Sequence, residues 1–264
     1  VINKYKTNWF MPEHTVTLGA YRFTGWKKGQ SISLEKNPSY HRKNAGPENI
    51  ELFFGNPSRL ADLFSEKKLQ VILNADQTEE SVLKLRKVPY KSEIYPSLTM
   101  VYMAFYLPNP LVQDINIRKA IAYSIQKDKL AQSLNRSLRA NEGLVPFGVL
   151  GYISAPFFPY SVQKARATLS LSPQKHELMK SGLNIMTVSG MLQDTALQVA
   201  TMISTALEIP VRVNTFDRKT SNAALVSGQQ HITLRSWNLD HPHASNIMEC
   251  FLSQSPLNRV KFLN

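Results

Sequence analysis

The C-terminal half of the chain alternates between strand-like and helix-like segments, and this alternation constrains the fold more than any other feature. Short runs of apolar and β-branched residues predict strands at residues 183–188, 211–215 and 231–237. Between these strands, apolar residues recur with the helical period in residues 195–207 and 221–226. Strands and helices that alternate in this way form partly parallel sheets covered by helices. The sequence therefore predicts an α/β fold.

The most apolar strand-like segment comprises residues 98–107, in which both alternating positions are largely apolar. A strand that is buried on both faces lies in the middle of a sheet or crosses between two lobes. Asp114 then predicts the N-cap of a helix whose apolar face includes Ile117, Ala120 and Ile121. This part of the chain therefore predicts a central or crossing strand that is soon followed by a helix.

The N-terminal third contains shorter predicted elements. Two alternating runs separated by a Gly-containing turn at residues 25–29 predict a β-hairpin. The predicted elements are, in order, the two hairpin strands, a third strand, a helix, a short strand and a second helix: residues 15–23, 31–35, 49–54, a helix from Pro57, residues 70–73 and a helix from Thr78. Later in the chain, residues 141–160 are rich in Pro, Gly and aromatic residues, which predicts an ordered loop rather than a linker.

Charge and hydropathy exclude several classes of protein. Lys and Arg total 31 against 19 Asp and Glu, and the resulting formal net charge of +12 favours anionic partners. The basic residues are scattered over predicted turns and helix ends, whereas a nucleic-acid reader concentrates them in one stripe, so no nucleic-acid partner is predicted. No segment approaches the ~20 apolar residues that a membrane-spanning helix needs.

The sequence contains no recognisable catalytic or metal-binding motif. It lacks a Gly-rich phosphate loop, a His-Glu-x-x-His sequence and a Gly-x-Ser-x-Gly elbow. Cys250 is the single cysteine, and its apolar surroundings predict a structural thiol rather than a nucleophile. His241 and His243, with Asp240 and His231 nearby, are the nearest approach to a metal site, but no second acidic cluster adjoins them. We therefore predict no enzymatic activity, no metal and no cofactor.

The strongest candidate for a ligand site is the end of the strand at residues 231–237. This strand runs into Arg235, Trp237 and Asp240, and ligand crevices of α/β sheets lie at the carboxyl ends of strands. A carboxylate there can pair with an amine, and a Trp can form the wall of a side-chain pocket. The same residues also fit a core Trp and a helix-capping Asp, and both interpretations stay open on this evidence.

Three ordered blocks of sequence carry a family resemblance. They are Gly19-Ala-Tyr21 with Trp26 and residues 32–40, then Pro108–Ile121, and then Pro146–Gly151 with Tyr160 and Ala165. These blocks resemble signature segments of the peptide-binding class of extracellular solute-binding proteins, the oligopeptide and dipeptide receptors of ABC importers. The resemblance implies a periplasmic-binding-protein-like two-lobe fold of type II, incomplete in this chain because family members are about twice as long. Residues 1–103 are then the middle segment of lobe I, and residues 104–264 are most of lobe II.

The resemblance also implies a function. Such a protein captures oligopeptides in the cleft between its lobes and delivers them to the permease subunits of an ABC transporter. The expected location is the periplasm or the cell surface, with or without a lipid anchor. Two alternatives stay open: the same fold with another cargo, such as a dipeptide, a cell-wall peptide, a nickel complex or haem, or an interaction domain that does not take part in transport.

Trp237-Asn-Leu-Asp240 resembles the family's W-x-x-D segment. In peptide-binding members the backbone of that segment pairs with the extended peptide, and its Asp holds the peptide's α-ammonium. The ligand-binding residues that the resemblance implies are Asp240, Trp237, Asn238, Arg235 and Tyr102. The chain departs from the family pattern at residues 65–70, which lack the usual Asp, and at His241-Pro-His243.

Overall fold

The computed structural model describes residues 2–73, 83–84, 87–93, 98–134, 138–155, 157–217 and 219–262. The chain forms two compact units, Val1–Ser92 (unit 1) and Glu93–Asn264 (unit 2). The predicted lobe boundary after residue 103 falls inside a strand of unit 2, whereas the division into compact units falls eleven residues earlier. The assignment of these units to the lobes of a larger fold stays a prediction.

Unit 1 contains one antiparallel sheet and short helices. Its elements are α1 (Ile2–Tyr5), a 3-10 turn (Lys6–Asn8), β1 (Tyr21–Lys27), β2 (Ser31–Lys36), β3 (Asn49–Phe53) and α2 (Pro57–Ser65). The strand order is β1-β2-β3, and both pairings are antiparallel. Helix α2 begins as predicted at Pro57, and the side chain of Asn56 caps it by accepting a hydrogen bond from the Arg59 N–H (2.9 Å).

The predicted hairpin is confirmed, but its first strand lies later than the alternation indicated. β1 passes through the segment predicted to be the turn, and a bulge at Thr24 interrupts its pairing with β2. The bulge adds one residue between Phe23 and Trp26, which brings both side chains to the same sheet face. A period-two pattern cannot reveal this arrangement. The actual turn uses Gly29, whose φ of +73° suits glycine.

Two predictions near the end of unit 1 have different outcomes. The strand predicted at residues 70–73 is wrong, because these residues adopt bends and irregular structure. Among the described strands none pairs with this run, so its backbone groups gain no ladder hydrogen bonds there. The helix predicted from Thr78 lies mostly outside the described residues.

Unit 2 contains a four-stranded sheet and most of the helices. Its strands are β4 (Thr99–Phe105), β5 (Leu183–Val188), β6 (Val211–Phe216) and β7 (Ile232–Asn238). Its helices are α3 (Pro110–Gln113), α4 (Ile115–Tyr123), α5 (Lys127–Leu134), α6 (Val162–Ser170), α7 (Lys175–Ser181), α8 (Met191–Leu207), α9 (Ser221–Val226) and α10 (Ser245–Met248), followed by a 3-10 turn (Glu249–Phe251). Among the described residues, no helix is both long and apolar enough to cross a bilayer.

The sheet of unit 2 has the strand order β4-β7-β5-β6. β5 is parallel to both β6 and β7, and β4 is antiparallel to β7, so the predicted partly parallel α/β sheet is confirmed. Of the two alternatives predicted for residues 98–107, the central strand is wrong: in the described part of the chain, β4 pairs only with β7 and lies at the edge. The crossing between lobes stays a prediction. Apolar residues on both faces suggested a central strand. An edge strand shows the same pattern when other elements cover both of its faces, as they do for β4.

One face of the sheet packs on helices and forms the main core. Val101, Met103 and Phe105 of β4 pack against it. The buried members of the main core are Leu111, Val112, Ile117, Ala120, Ile121, Ile125, Ala165, Leu169, Leu178, Leu183, Ile185, Ala196, Val199, Ala200, Ile203, Ala206, Leu207, Ile209, Ile232 and Leu234. Asp114 caps α4 as predicted by accepting from the Asn116 N–H (2.8 Å). Helices α5 and α7 escaped the sequence analysis because they bury almost no side chain.

The other face of the sheet packs on helix α9 and on an ordered loop, as predicted for residues 141–160. The loop contributes Val145 and Val149 to a second core, the loop cluster, whose buried members are Met100, Val145, Val149, Leu239 and Ile247. A bridge from Leu150 to His243 joins the loop to the segment after β7. Since Met100, Tyr102 and Trp237 all pack into this cluster, the loop supports the end of β7 that carries the candidate site.

Candidate ligand-binding site

The candidate site lies where β7 separates from β5. The two strands pair at only two positions, Ile185 with Ile232 and Met186 with Thr233, and their ladder ends there. The chain connects β5 to β6 on one side of β5 and then returns to place β7 on the other side. Open α/β sheets bind ligands in the crevice outside the carboxyl ends of strands at such a reversal of strand order. The topology therefore places the predicted site at the position that this rule favours.

The pairing with β4 determines which backbone groups of β7 face the opening. The Leu239 N–H donates to the Leu98 carbonyl (3.1 Å), and the Tyr106 N–H donates to the His231 carbonyl (2.9 Å). In an antiparallel ladder, alternate residues direct both backbone groups to the partner strand. The residues between, including Ser236 and Asn238, therefore direct their N–H and C=O groups away from β4. Beyond Thr233, β5 no longer pairs with that edge of β7.

Trp237 and Asp240 are brought together by a third residue, Asn246 of α10. The Trp237 indole Nε1–H and the Asp240 backbone N–H both donate to Asn246 Oδ1, each at 3.2 Å. The Asn246 amide Nδ2 in turn donates to Asp240 Oδ2 at 3.4 Å. Asn246 is 5% exposed, whereas Asp240 is exposed. The carboxylate is therefore held from the protein side and faces solvent.

The sequence analysis missed Asn246. A signal was present, because Asn246 is a polar residue next to Ile247 and Met248 in a short helix. A polar side chain on an apolar stretch, once buried, requires hydrogen-bond partners. Which groups it would contact could not be read from the sequence, since Trp237 lies nine positions earlier on a different element.

Asn238 does not join this group. Its side chain lies on the opposite face of the sheet from that of Trp237, because successive residues of a strand alternate between faces. Its Oδ1 accepts a hydrogen bond from the Thr99 hydroxyl (3.0 Å). Thr99 and Asn238 are opposite each other in the β4–β7 ladder. The structure thus separates the two neighbours that the sequence analysis grouped: Trp237 packs into the loop cluster, and Asn238 is exposed.

Tyr102 and Arg235 are cross-strand neighbours on the same sheet face as Trp237. The Arg235 Nε–H donates to the Thr233 hydroxyl (3.0 Å), and the residue is half-buried. Burial, together with the nearby positive charge of Arg259, lowers the pKa of the Arg235 guanidinium. Burial, followed by the neighbouring Cys250, raises the pKa of the Tyr102 phenol, while the two arginines oppose that shift. This cluster carries the positive charges of Arg235 and Arg259.

The sequence analysis also considered Cys250, His241 and His243. Burial, and then the charge of Glu249, raise the pKa of the Cys250 thiol, which keeps it in its less reactive form. His243 Nδ1 lies 2.9 Å from the Ser245 hydroxyl, and His241 Nε2 lies 3.5 Å from it, so both rings are arranged around a serine. Within the described ranges, no three His, Cys, Asp or Glu side chains are grouped closely enough to hold a metal ion.

Unit 1 contains a cavity of about 540 Å³ that is separate from these residues. It is lined in part by Phe64, Lys67, Leu69 and Val88. None of the predicted ligand-binding residues lines it, and its open, partly charged wall gives no reason to move the candidate site there.

Comparison with known proteins places these observations in a family. The sequence matches the model of a family described as "Bacterial extracellular solute-binding proteins, family 5 Middle" over residues 1–259. A curated relative, the "Probable deoxycholate-binding periplasmic protein YgiS" of Escherichia coli (strain K12), is 22% identical over 98% of this chain and 49% of its own length. The "Periplasmic oligopeptide-binding protein OppA" of Salmonella typhimurium is 20% identical over 99% of this chain and 50% of its own length.

Solved structures agree on the fold. The structure of Haemophilus influenzae OppA in complex with the peptide RPPGFSPFR matches with a TM-score of 0.67 at 18% identity, over all of this chain and 54% of that one. At this identity the match supports the fold alone, and it confirms the expected periplasmic-binding-protein-like α/β fold of type II. The chain spans about half the length of the curated relatives it matches.

Proposed function

Because this chain belongs to family 5 of the bacterial extracellular solute-binding proteins, we propose that it is the part of an ABC importer's substrate-binding component that contacts short peptides. The proposed protein works in the periplasm or at the cell surface and delivers its peptides to the permease subunits of the transporter. Lobe closure around the ligand, driven by its higher affinity for the closed state, is the proposed mechanism of capture. The lobe assignment of residues 1–103 and 104–264 is part of this proposal.

One observation carries the proposal: beyond Thr233, one side of β7 pairs with no strand among the described residues, and β7 ends two residues before an exposed carboxylate. The backbone groups of Ser236 and Asn238 point away from β4 beyond the last pairing with β5. An extended peptide can add to such an edge as a further strand, which provides affinity through main-chain hydrogen bonds. Asp240, two residues beyond β7, would then pair with the α-ammonium at the peptide's first residue.

The remaining predicted residues fit complementary roles. Trp237, which packs into the loop cluster and is partly exposed, would form an apolar wall beside the peptide. Arg235 and Tyr102, on the same sheet face, would contribute positive charge and a hydroxyl to the peptide's acidic or carbonyl groups. Asn238 would act through its backbone rather than its side chain. Main-chain recognition reads no side chain, so the proposed ligand set is a mixture of peptide sequences.

A different cargo is the second candidate. The Escherichia coli relative is named for deoxycholate, an amphipathic anion, and this chain carries a formal net charge of +12. An amphipathic anion would use Arg235 and the apolar wall of Trp237, and it would make no use of Asp240. The role of Asp240 therefore separates the two candidates.

Native mass spectrometry of the full-length natural protein, purified without denaturation, tests the proposal directly. We expect a heterogeneous set of short peptides to be released. A single amphipathic anion would instead favour the second candidate and overturn the peptide proposal. Protein that is empty and also fails to bind either added tetra-alanine or added deoxycholate would overturn both transport proposals and favour an interaction domain.

A charge-removing variant tests the role of Asp240 itself. Asp240→Asn keeps the shape of the side chain and removes its charge, so we expect the affinity for tetra-alanine to fall about tenfold or more. Asp128→Asn is the matched control, because Asp128 is also exposed but lies on α5, which packs on α8. Equal affinities for the wild type and Asp240→Asn in a calorimetric titration would remove the proposed ammonium contact.

A further inference from the structure

Asn246 occupies the junction between the two side chains on which the proposed ligand recognition depends. It lies on α10, which follows β7 in the chain after a short loop, and it is 5% exposed. We propose that Asn246 is the positioning residue of this site: its amide locks the Trp237 ring and the Asp240 carboxylate into one arrangement, and selectivity for ligands with a free α-ammonium depends on that lock. The proposal rests on the function proposed above.

The hydrogen-bond pattern determines the orientation of the Asn246 amide. Two N–H donors, the Trp237 indole and the Asp240 backbone, converge on one amide atom at 3.2 Å each. An atom that receives two donors is the oxygen, so the amide nitrogen must face the other way. There it donates to Asp240 Oδ2 at 3.4 Å. A single side chain thus accepts from the backbone of Asp240 and donates to its carboxylate.

This double contact has a consequence for the ligand. Asp240 is exposed, and an exposed carboxylate ordinarily samples several rotamers. The contact from the buried amide to Oδ2 favours one rotamer before the ligand arrives, and the Asp240 backbone N–H holds the amide in position for it. Less side-chain entropy is then lost when the ligand binds. Asn246 engages Oδ2, and because Asp240 is exposed, an ammonium group can reach the carboxylate from solvent. The indole bond meanwhile fixes the Trp237 ring relative to the same carboxylate.

Paired peptides provide the test. We expect the full-length protein to bind tetra-alanine more tightly than N-acetyl-tetra-alanine, which lacks the ammonium group. In Asn246→Ala, that preference should fall about tenfold, while the affinity for the acetylated peptide changes little. If Asn246 had only a structural role, its replacement would lower the affinity for both peptides equally. Calorimetric titration of each variant with both peptides gives two dissociation constants, and their ratio is the preference.

The matched control is Asn258→Ala. Asn258 is 4% exposed, and its side chain also makes three hydrogen bonds, to the backbone of Leu252 and twice to that of Phe262. Its replacement should lower stability in the same way as Asn246→Ala but leave the peptide preference unchanged. If Asn246→Ala does not fold, Trp237→Phe removes the indole donor, keeps an aromatic ring at the position and should still reduce the preference.

A ligand-free measurement gives a second readout. The Trp237 indole N–H should exchange with solvent more slowly in the wild type than in Asn246→Ala, as measured by nuclear magnetic resonance. If the wild type prefers the free amine and Asn246→Ala prefers it equally, this inference is wrong and the role of Asp240 stands. If the wild type itself shows no preference, the proposed ammonium contact fails, and this inference fails with it.

Discussion

The two units of this chain use apolar residues in opposite ways. In unit 2, a sheet packs on helices on one face and on an ordered loop and helix α9 on the other. Almost all of the buried apolar side chains among the described residues therefore belong to unit 2. Among the described residues of unit 1, only Ala61 and Leu83 are buried hydrophobic residues. Trp26 and Phe53, both on the strands of its sheet, are 41% exposed.

This difference shows what holds each unit in its shape. A sheet needs a second layer to bury its apolar face, and unit 2 has that layer on both sides. The unit 1 sheet depends instead on local features: strand pairing, the bulge at Thr24 and the turn at Gly29. We therefore expect unit 2 to respond strongly to changes in side-chain volume, and unit 1 to respond to changes in backbone conformation.

The largest expected effect tests that contrast through packing. Ile117→Ala empties a fully buried position of the main core and should reduce the free energy of unfolding by about 2–5 kcal/mol. Leu52→Ala, at a position of β3 that is 38% exposed, should cost less than about 1 kcal/mol. Urea unfolding followed by circular dichroism measures both. Similar costs for the two variants would contradict the proposed difference between the units.

A smaller effect is expected at the turn of unit 1. Gly29 has a φ of +73°, and a Cβ added there would meet no atom within 4 Å, so the cost of Gly29→Ala comes from backbone strain alone. We expect this change to destabilise the β1–β2 hairpin by about 1 kcal/mol. Amide hydrogen exchange should become faster in β1 and β2 and stay unchanged in the strands of unit 2.

Gly29→Asn is the matched control for the turn, because Asn tolerates positive φ better than Ala does. It should preserve most of the hairpin's protection against exchange. Equal loss in both variants would mean that the side chain, rather than the backbone conformation, is responsible.

The smallest expected effect is a pH dependence of unit 2. His231 Nδ1 accepts from the Asn184 N–H (2.9 Å), while the His231 N–H donates to the Asn184 carbonyl (3.1 Å), so the imidazole joins β7 to β5 where their ladder begins. Burial lowers the pKa of His231 below its ordinary value of 6.5. The hydrogen bond to the neutral ring therefore contributes its full stabilisation above pH 6.5, the ordinary pKa of histidine. This contribution declines as the pH falls below that value and the ring takes up a proton.

The change in the free energy of unfolding cannot exceed the contribution of one hydrogen bond, about 1 kcal/mol. His231→Asn places an acceptor near the position of Nδ1 and does not titrate, so it should remove this part of the pH dependence. Unfolding measured between pH 5 and pH 7.5 in both proteins provides the comparison. A slope that His231→Asn leaves intact would assign the dependence to other groups.

Several features could be predicted from the sequence because they depend on near neighbours. Asp114 caps α4 through a residue two positions away, and the helix places Ile117, Ala120 and Ile121 inward through its own period. Strand β5 and helix α9 were predicted with their observed bounds. In each case, the physical cause lies within one helical turn or one strand.

Other features depended on distant residues and could not be predicted. The edge position of β4 follows from strand order, which no local pattern encodes, and the loop that covers one of its faces lies about forty residues further along the chain. The hairpin boundary followed a bulge that involves a partner strand. Helices α5 and α7 bury too few side chains to produce a periodic signal.

The candidate site combines both kinds of information. The sequence by itself determined the α/β class, the strand that ends near Trp237 and Asp240, and a family resemblance, because each depends on residue types in a fixed order. Only the tertiary structure decided that β7 separates from β5 beyond Thr233 and that Asn246 joins the indole to the carboxylate. The physical reason is that hydrogen bonds between elements depend on how those elements pack, which is set by the whole core rather than by any single segment.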